Sequence, residues 1–132
     1  MKRWINNLSY QFKGERNRGT LLNVSTTSLV KLLILNLLST KHYYGNQLIE
    51  TIREIFHNKW EPSPGMIYPL LRDLESKGYI KGWWTEPDKK IKRYYRITDE
   101  GIEHFKIIKN NYKSTLIDSL SMVENIIKEV YK

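Results

Sequence analysis

Seven Lys and Arg side chains fall between residues 77 and 96 (Lys77, Lys81, Lys89, Lys90, Lys92, Arg93 and Arg96), against only Glu86 and Asp88. Five more lie within residues 1–18, against Glu15. The remaining residues hold ten basic and eleven acidic side chains, so the formal charge of +8 is concentrated in two patches. Clustered cations of this kind suit a polyanion, and they equally suit a solvated surface. A second group with chemistry to offer stands just ahead of the larger patch, in EPSPGMIYPLLRDLESKGYI, residues 61–80. Ile67, Leu70, Leu71 and Leu74 give that segment the face of an amphipathic helix. Ser63 is a good N-cap, and Pro64 suits the first helical position, where its missing N–H had no partner anyway. Gly65 and Pro69 do not suit a helix. An interior proline costs roughly 3 kcal/mol, less near the N-terminus. On a helical wheel Gly65, Pro69, Arg72 and Ser76 lie opposite the leucine face, with Tyr68 at its edge. An exposed face gains little from such residues unless something approaches it closely. A helix N-terminus offers N–H groups and a positive dipole end to phosphate. The plainer alternative is a sharp turn into an ordinary core helix.

Other chemistries find little support. With no cysteine, neither a disulfide framework nor a thiolate metal site can form. His42, His57 and His104 have no metal-ligand spacing. Ser63 is not set in a Gly-x-Ser-x-Gly elbow. There is no glycine-rich phosphate loop. We therefore expect neither an enzyme nor a cofactor nor a metal. The most apolar stretch, Leu29 to Leu38, contains Lys31 and Asn36 and is too short to span a bilayer. No apolar run follows the basic start, and with the lack of cysteine this points to the cytoplasm.

The elements that position these residues follow from periodicity. Residues 1–24 are polar and form an arm, in which Trp4, Ile5, Leu8 and Phe12 recur at helical spacing. Ser25, Thr26 and Thr27 can cap a helix near 26–40 that is apolar nearly all round and so belongs inside a core. Leu48, Ile49, Ile52, Ile55 and Phe56 mark a second helix. Residues 57–63 turn into the third, which Gly78 ends. From Ile80 the pattern favours strands, with Glu86-Pro87-Asp88-Lys89-Lys90 as the hairpin loop and Ile91 to Ile97 as the return strand. Thr98 caps a last helix that runs towards residue 130, with Asp99 and Glu100 in its first turn. Three helices, a two-stranded hairpin and a further helix predict a mainly α fold: a winged helix-turn-helix over 25–98 and a long C-terminal dimerisation helix over 99–132.

This frame assigns candidate roles. Met66, Tyr68, Pro69 and Arg72 belong to the groove-facing side of the third helix. Ser63 and Gly65 shape its end. Lys89, Lys90, Lys92 and Arg93 form the cationic tip and flank of the wing, although Arg93 shares a strand face with Ile91 and Tyr95 and so suits a structural role too. Phe105, Ile108, Tyr112, Leu116, Leu120, Val123 and Ile127 form an apolar stripe along the last helix. That helix, at about 45 Å, is longer than a winged domain can cover, so the stripe predicts pairing with a second copy. Trp83 and Trp84 are adjacent on a strand and face opposite ways. They suit core packing or an aromatic-lined ligand pocket.

SPGMIYPLLRDLESKGYI followed by KRYYRITDEG resembles the PadR-like transcriptional regulators. Ser63, Gly65, Ile67, Tyr68, Pro69, Leu71, Leu74, Glu75 and Gly78 match that family's first motif, and Arg93, Tyr94, Tyr95, Thr98 and Gly101 its second. LLILNLLS and YYGNQLIETI are similar to its first two helices, so the resemblance covers roughly residues 26–105. It implies a cytoplasmic homodimeric repressor that binds a palindromic operator, dimerises through its C-terminal helix and, in some members, responds to phenolic acids, drugs or other small hydrophobic ligands. The alternative is a winged-helix module for protein or RNA contact. The arm is longer than the resemblance leads one to expect, and the C-terminal part has room for only one long helix.

Overall fold

The computed structural model describes residues 24–86, 88 and 92–132. The expected helix bearing Trp4, Ile5, Leu8 and Phe12 lies outside the described residues, as do Lys89, Lys90 and Ile91 of the wing. The elements run α1 (Thr26–Leu38), β1 (Tyr43–Tyr44), α2 (Gly45–Ile55), α3 (Pro64–Ser76), β2 (Ile80–Trp84), β3 (Arg93–Ile97) and α4 (Asp99–Val130). The described residues divide between two compact units, 26–110 and a second that takes in 111–132, so the division falls within α4.

In the unit spanning 26–110, α1 supplies Val30, Ile34, Leu35, Leu37 and Leu38 to the core. Leu48 and Ile52 of α2 meet Ile67, Leu71 and Leu74 of α3 there, all fully buried. Each such side chain contributes roughly 1.5–3 kcal/mol of burial. Between α2 and α3 the chain reverses through His57 and Asn58, both at positive φ. α3 ends at Gly78, whose φ of 80° is the left-handed conformation that glycine reaches without strain.

The expected two-stranded hairpin is one strand short. The sheet has three antiparallel strands in the order β1-β3-β2. β1 pairs Tyr43 with Tyr95 and Tyr44 with Tyr94, while β2 pairs Ile80 with Ile97 through to Trp84 with Arg93. Strand alternation divides the side chains between two faces. Ile80, Tyr43 and Tyr95 turn to the core, whereas Trp83, Tyr94 and Tyr44 form a row across the other face with His42 at its edge. The sheet is tied to α4 by Thr98. Its Oγ1 donates to the Gly78 carbonyl at 2.6 Å and accepts from the Gly101 N–H at 3.0 Å. Gly101 packs so closely on the Tyr79 carbonyl that a β-carbon there would collide with it. Among the described residues no helix is long and apolar enough to cross a membrane.

Candidate nucleic-acid interface

The opening of α3 is built as its residue types require. The Ser63 Oγ accepts the Met66 N–H at 3.2 Å, and Pro64 holds the first helical position. Pro69 stands inside the helix with no N–H to offer the Gly65 carbonyl. Ser63, Gly65, Pro69 and Arg72 are exposed together. A β-carbon on Gly65 would meet only the Ser63 Oγ, 3.8 Å away. The fold itself therefore does not require glycine at this position. Met66 and Tyr68 are half-buried and pack against the core, which agrees with the place of Tyr68 at the edge of the leucine face.

Tyr68 turns towards α2. Its hydroxyl donates to the Asn46 Oδ1 at 3.2 Å. The ring covers Gly45 so closely that a β-carbon there would sit 2.5 Å from the hydroxyl. Glycine at 45 is the residue that lets Tyr68 lie against the start of α2. That start has no side-chain cap from Tyr44, although the Gln47 Oε1 accepts the Tyr44 N–H at 3.4 Å.

On the wing, Lys92 is exposed and its Nζ lies 4.7 Å from the centre of the Tyr44 ring. Arg93, which the sequence offered both as a wing cation and as a structural residue, is tied into the fold. It is half-buried, and its Nη2 donates to the Glu75 Oε2 at 2.8 Å. The same carboxylate oxygen accepts the Gly82 N–H at 3.1 Å. The Arg93 guanidinium also lies over Trp84 and Tyr95. One carboxylate of α3 thus holds both strands of the wing. Gly82 leaves room for the arginine: a β-carbon there would be 2.7 Å from the Arg93 Nε. Burial holds the Tyr95 phenol above its ordinary value of 10.0, with the Arg93 charge opposing that rise.

These residues enclose a cleft of about 360 Å³, lined by Tyr44, Gly45, Asn46, Tyr68, Trp84, Lys92, Arg93 and Tyr95. Of these, Tyr68, Lys92 and Arg93 were expected at the interface from the sequence. Tyr44, Gly45, Asn46 and Trp84 were not. The sequence signal for them was slight, a glycine directly after two tyrosines. Among the described residues there is no group of three His, Asp or Glu side chains that could hold a metal ion.

The stripe along α4 is divided. Phe105 is buried in the core of its own unit and Ile108 packs against that core, so both already serve the single chain. Tyr112 is half-buried. Leu116, Leu120, Val123 and Ile127 are exposed, Leu120 by 60%.

Known proteins resemble this chain in sequence and fold. Residues 34–107 match the Transcriptional regulator PadR-like family. The transcriptional regulator YqjI of Escherichia coli is 30% identical over 74 residues, which are 56% of this chain and 34% of that protein. The chain thus matches about a third of the length of its curated relatives. Among solved structures, a transcriptional regulator from Clostridium thermocellum is 28% identical with a TM-score of 0.56, over 80% of this chain and 95% of that one. PadR of Bacillus subtilis, solved in complex with operator DNA, is 28% identical with a TM-score of 0.52, over 59% of this chain and 45% of that one. The family match covers more than half of the chain and takes in the second and third helices and the wing: the chain belongs to the transcriptional regulator PadR-like family.

Proposed function

We propose that this chain is a repressor that binds a palindromic DNA operator as a homodimer. Its family is one of regulators, not of enzymes. The observation that carries the reading is the exposed end of α3. Gly65, Pro69 and Arg72 stand on one open side of a capped helix start, beside a wing that carries Lys92. In helix-turn-helix proteins that end of the recognition helix enters the major groove. Gly65 suits close approach of a backbone, Arg72 suits hydrogen bonding to a base edge, and the wing cations suit phosphate. Lys89 and Lys90 join the wing contact on the strength of the sequence. The Bacillus relative solved with operator DNA supports DNA as the partner.

Dimerisation through distal α4 is supported by the exposed Leu116, Leu120, Val123 and Ile127. A second copy of the same helix is the simplest cover for them. The cytoplasm as the site of action and release by a small hydrophobic or aromatic ligand belong to the same reading. Both rest on the resemblance.

The test is a gel shift on DNA from upstream of the protein's own gene, with scrambled DNA as competitor. Specific retention supports the reading. Equal competition by scrambled DNA reduces it to electrostatics, and retention of neither DNA leaves the fold to protein or RNA contact.

A further inference from the structure

We infer that the cleft between Tyr68, the start of α2 and Lys92 is the seat of a phosphodiester of the bound DNA, and that Tyr68 is a positioning residue for it rather than a reader of bases. The inference rests on the DNA-binding reading and assigns a role to this site within it.

Only some of the groups in the cleft are free to bind. The Arg93 guanidinium is held by Glu75 at 2.8 Å, so that pair adds no net charge. Lys92 forms no ion pair among those found in the described residues, and its ammonium rests over the Tyr44 ring at 4.7 Å. The cleft therefore carries one uncompensated cation. The Tyr68 hydroxyl gives its proton to the Asn46 Oδ1, so the phenol is not a free donor. That bond leaves the Asn46 amide N–H₂ as the donor group. Its orientation is set from α3, twenty-two residues away in sequence. A cation and an amide donor at one opening, with the Glu75 carboxylate already engaged, suit an oxyanion.

The position of the cleft identifies the source. Tyr68 stands between Gly65 and Arg72 at the spacing that brings helix residues to one side. The cleft thus opens beside the exposed end of α3 and is bounded on its far side by the wing. A duplex approaching Gly65 and Arg72 would carry its backbone past this opening. Phosphate contacts fix register and orientation without carrying sequence information. A tyrosine spent on holding Asn46 contributes to affinity for any sequence and leaves discrimination to Arg72.

The experiment measures binding of Tyr68→Phe, Asn46→Ala and Lys92→Gln to the operator fragment and to a scrambled duplex across a salt series. Each variant should weaken both duplexes by the same factor, roughly tenfold for Lys92→Gln, the loss of one charge-assisted contact. Lys92→Gln should also shallow the slope of log affinity against log salt by about one per subunit. Tyr68→Phe combined with Asn46→Ala should be no worse than Asn46→Ala alone, since the phenol acts through the amide. A neutral methylphosphonate at the contacted position should weaken the wild type more than it weakens Lys92→Gln, which keeps only the amide contact, and this separates a backbone phosphate from a free anion. A changed operator-to-scrambled ratio in Tyr68→Phe would mean that it reads bases and would overturn the inference. So would wild-type affinity and slope in all three variants. If wild-type protein binds neither duplex, the DNA-binding reading falls and takes this one with it. If the wild type binds and only the variants are silent, the cleft assignment alone is lost.

Discussion

Gly65→Ala should make the protein more stable and a weaker binder of DNA. Gly65 is the second residue of α3, within a capped helix, and is absent from the residues at positive φ. An alanine methyl there would lie 3.8 Å from the Ser63 Oγ, an ordinary contact, and meet nothing else within 4 Å. The fold thus has space for it and no conformational objection. Alanine is favoured over glycine by roughly 0.5–1 kcal/mol in a helix, mostly through the entropy of the unfolded chain, and by less near the first turn. We expect a gain of about 0.5 kcal/mol, read as a higher urea midpoint at unchanged m-value. The same methyl stands on the side that the reading gives to DNA. Forcing a methylene-sized group into a packed contact costs about 1–3 kcal/mol, so operator affinity should fall by roughly tenfold or more. Fluorescence anisotropy with labelled operator measures it. Two effects of opposite sign separate docking from folding. A variant that loses stability would show that the glycine serves the fold after all. A more stable variant with unchanged affinity would show that nothing approaches Gly65.

Other expectations follow from single contacts. Glu75→Gln and Arg93→Gln should each lower stability by about 1–2 kcal/mol, and their double-mutant cycle should show coupling, because the pair is less than one third exposed and the carboxylate also serves the Gly82 N–H; additive urea midpoints would refute this, and a lost unit of salt slope in Arg93→Gln would return Arg93 to the DNA. His104 stacks on Tyr79 at 4.0 Å, and burial first, then Lys31 and Lys77, hold its pKa below the ordinary 6.5. The unfolded chain then binds the proton more readily, so stability present above about pH 6.5 should decline as pH falls towards the folded value, and His104→Phe should flatten that decline in urea midpoints between pH 7.5 and 5.5. Gly101→Ala should destabilise by about 1–3 kcal/mol, since the methyl would strike the Tyr79 carbonyl, with thermal unfolding as the readout. Leu120→Asp with Val123→Asp should leave a folded monomer in sedimentation, because both side chains are exposed in the single chain and an unpaired charge is disfavoured in an apolar seam; a persistent dimer would move the interface elsewhere.

The helices were legible because each buries one stripe, and the spacing of Leu48, Ile49 and Ile52 or of Ile67, Leu71 and Leu74 records that stripe directly. The cap at Ser63 and the left-handed Gly78 were legible because their chemistry is local. β1 was not. Two residues carry no periodicity, and what makes Tyr43 and Tyr44 a strand is a partner at Tyr95 and Tyr94. The same limit governs the site. A helical wheel puts Tyr68 at the edge of the exposed face, but Asn46 and Gly45 decide where its hydroxyl points. Strand alternation left Arg93 open to both a wing role and a structural one, and its partner Glu75, eighteen residues away, is visible only in the fold. Along α4 one apolar stripe serves two purposes, and only burial distinguishes Phe105 and Ile108 from the leucines beyond them.

The two-residue strand has a further consequence, for the order in which the chain folds. β2 and β3 are joined by a short loop, so their hairpin closes at modest entropic cost. Tyr43 and Tyr95 meet only across α2, α3 and β2. Closing a loop of about fifty residues costs on the order of 3–4 kcal/mol, far more than a two-residue ladder returns. That cost is met by the packing of α2 and α3 on α1, which brings the two tyrosines together beforehand. We therefore expect β1 to pair late in folding. Its pairing reports that the helices beneath are already docked, so a chain with the full three-stranded sheet is one whose α3 is already in place.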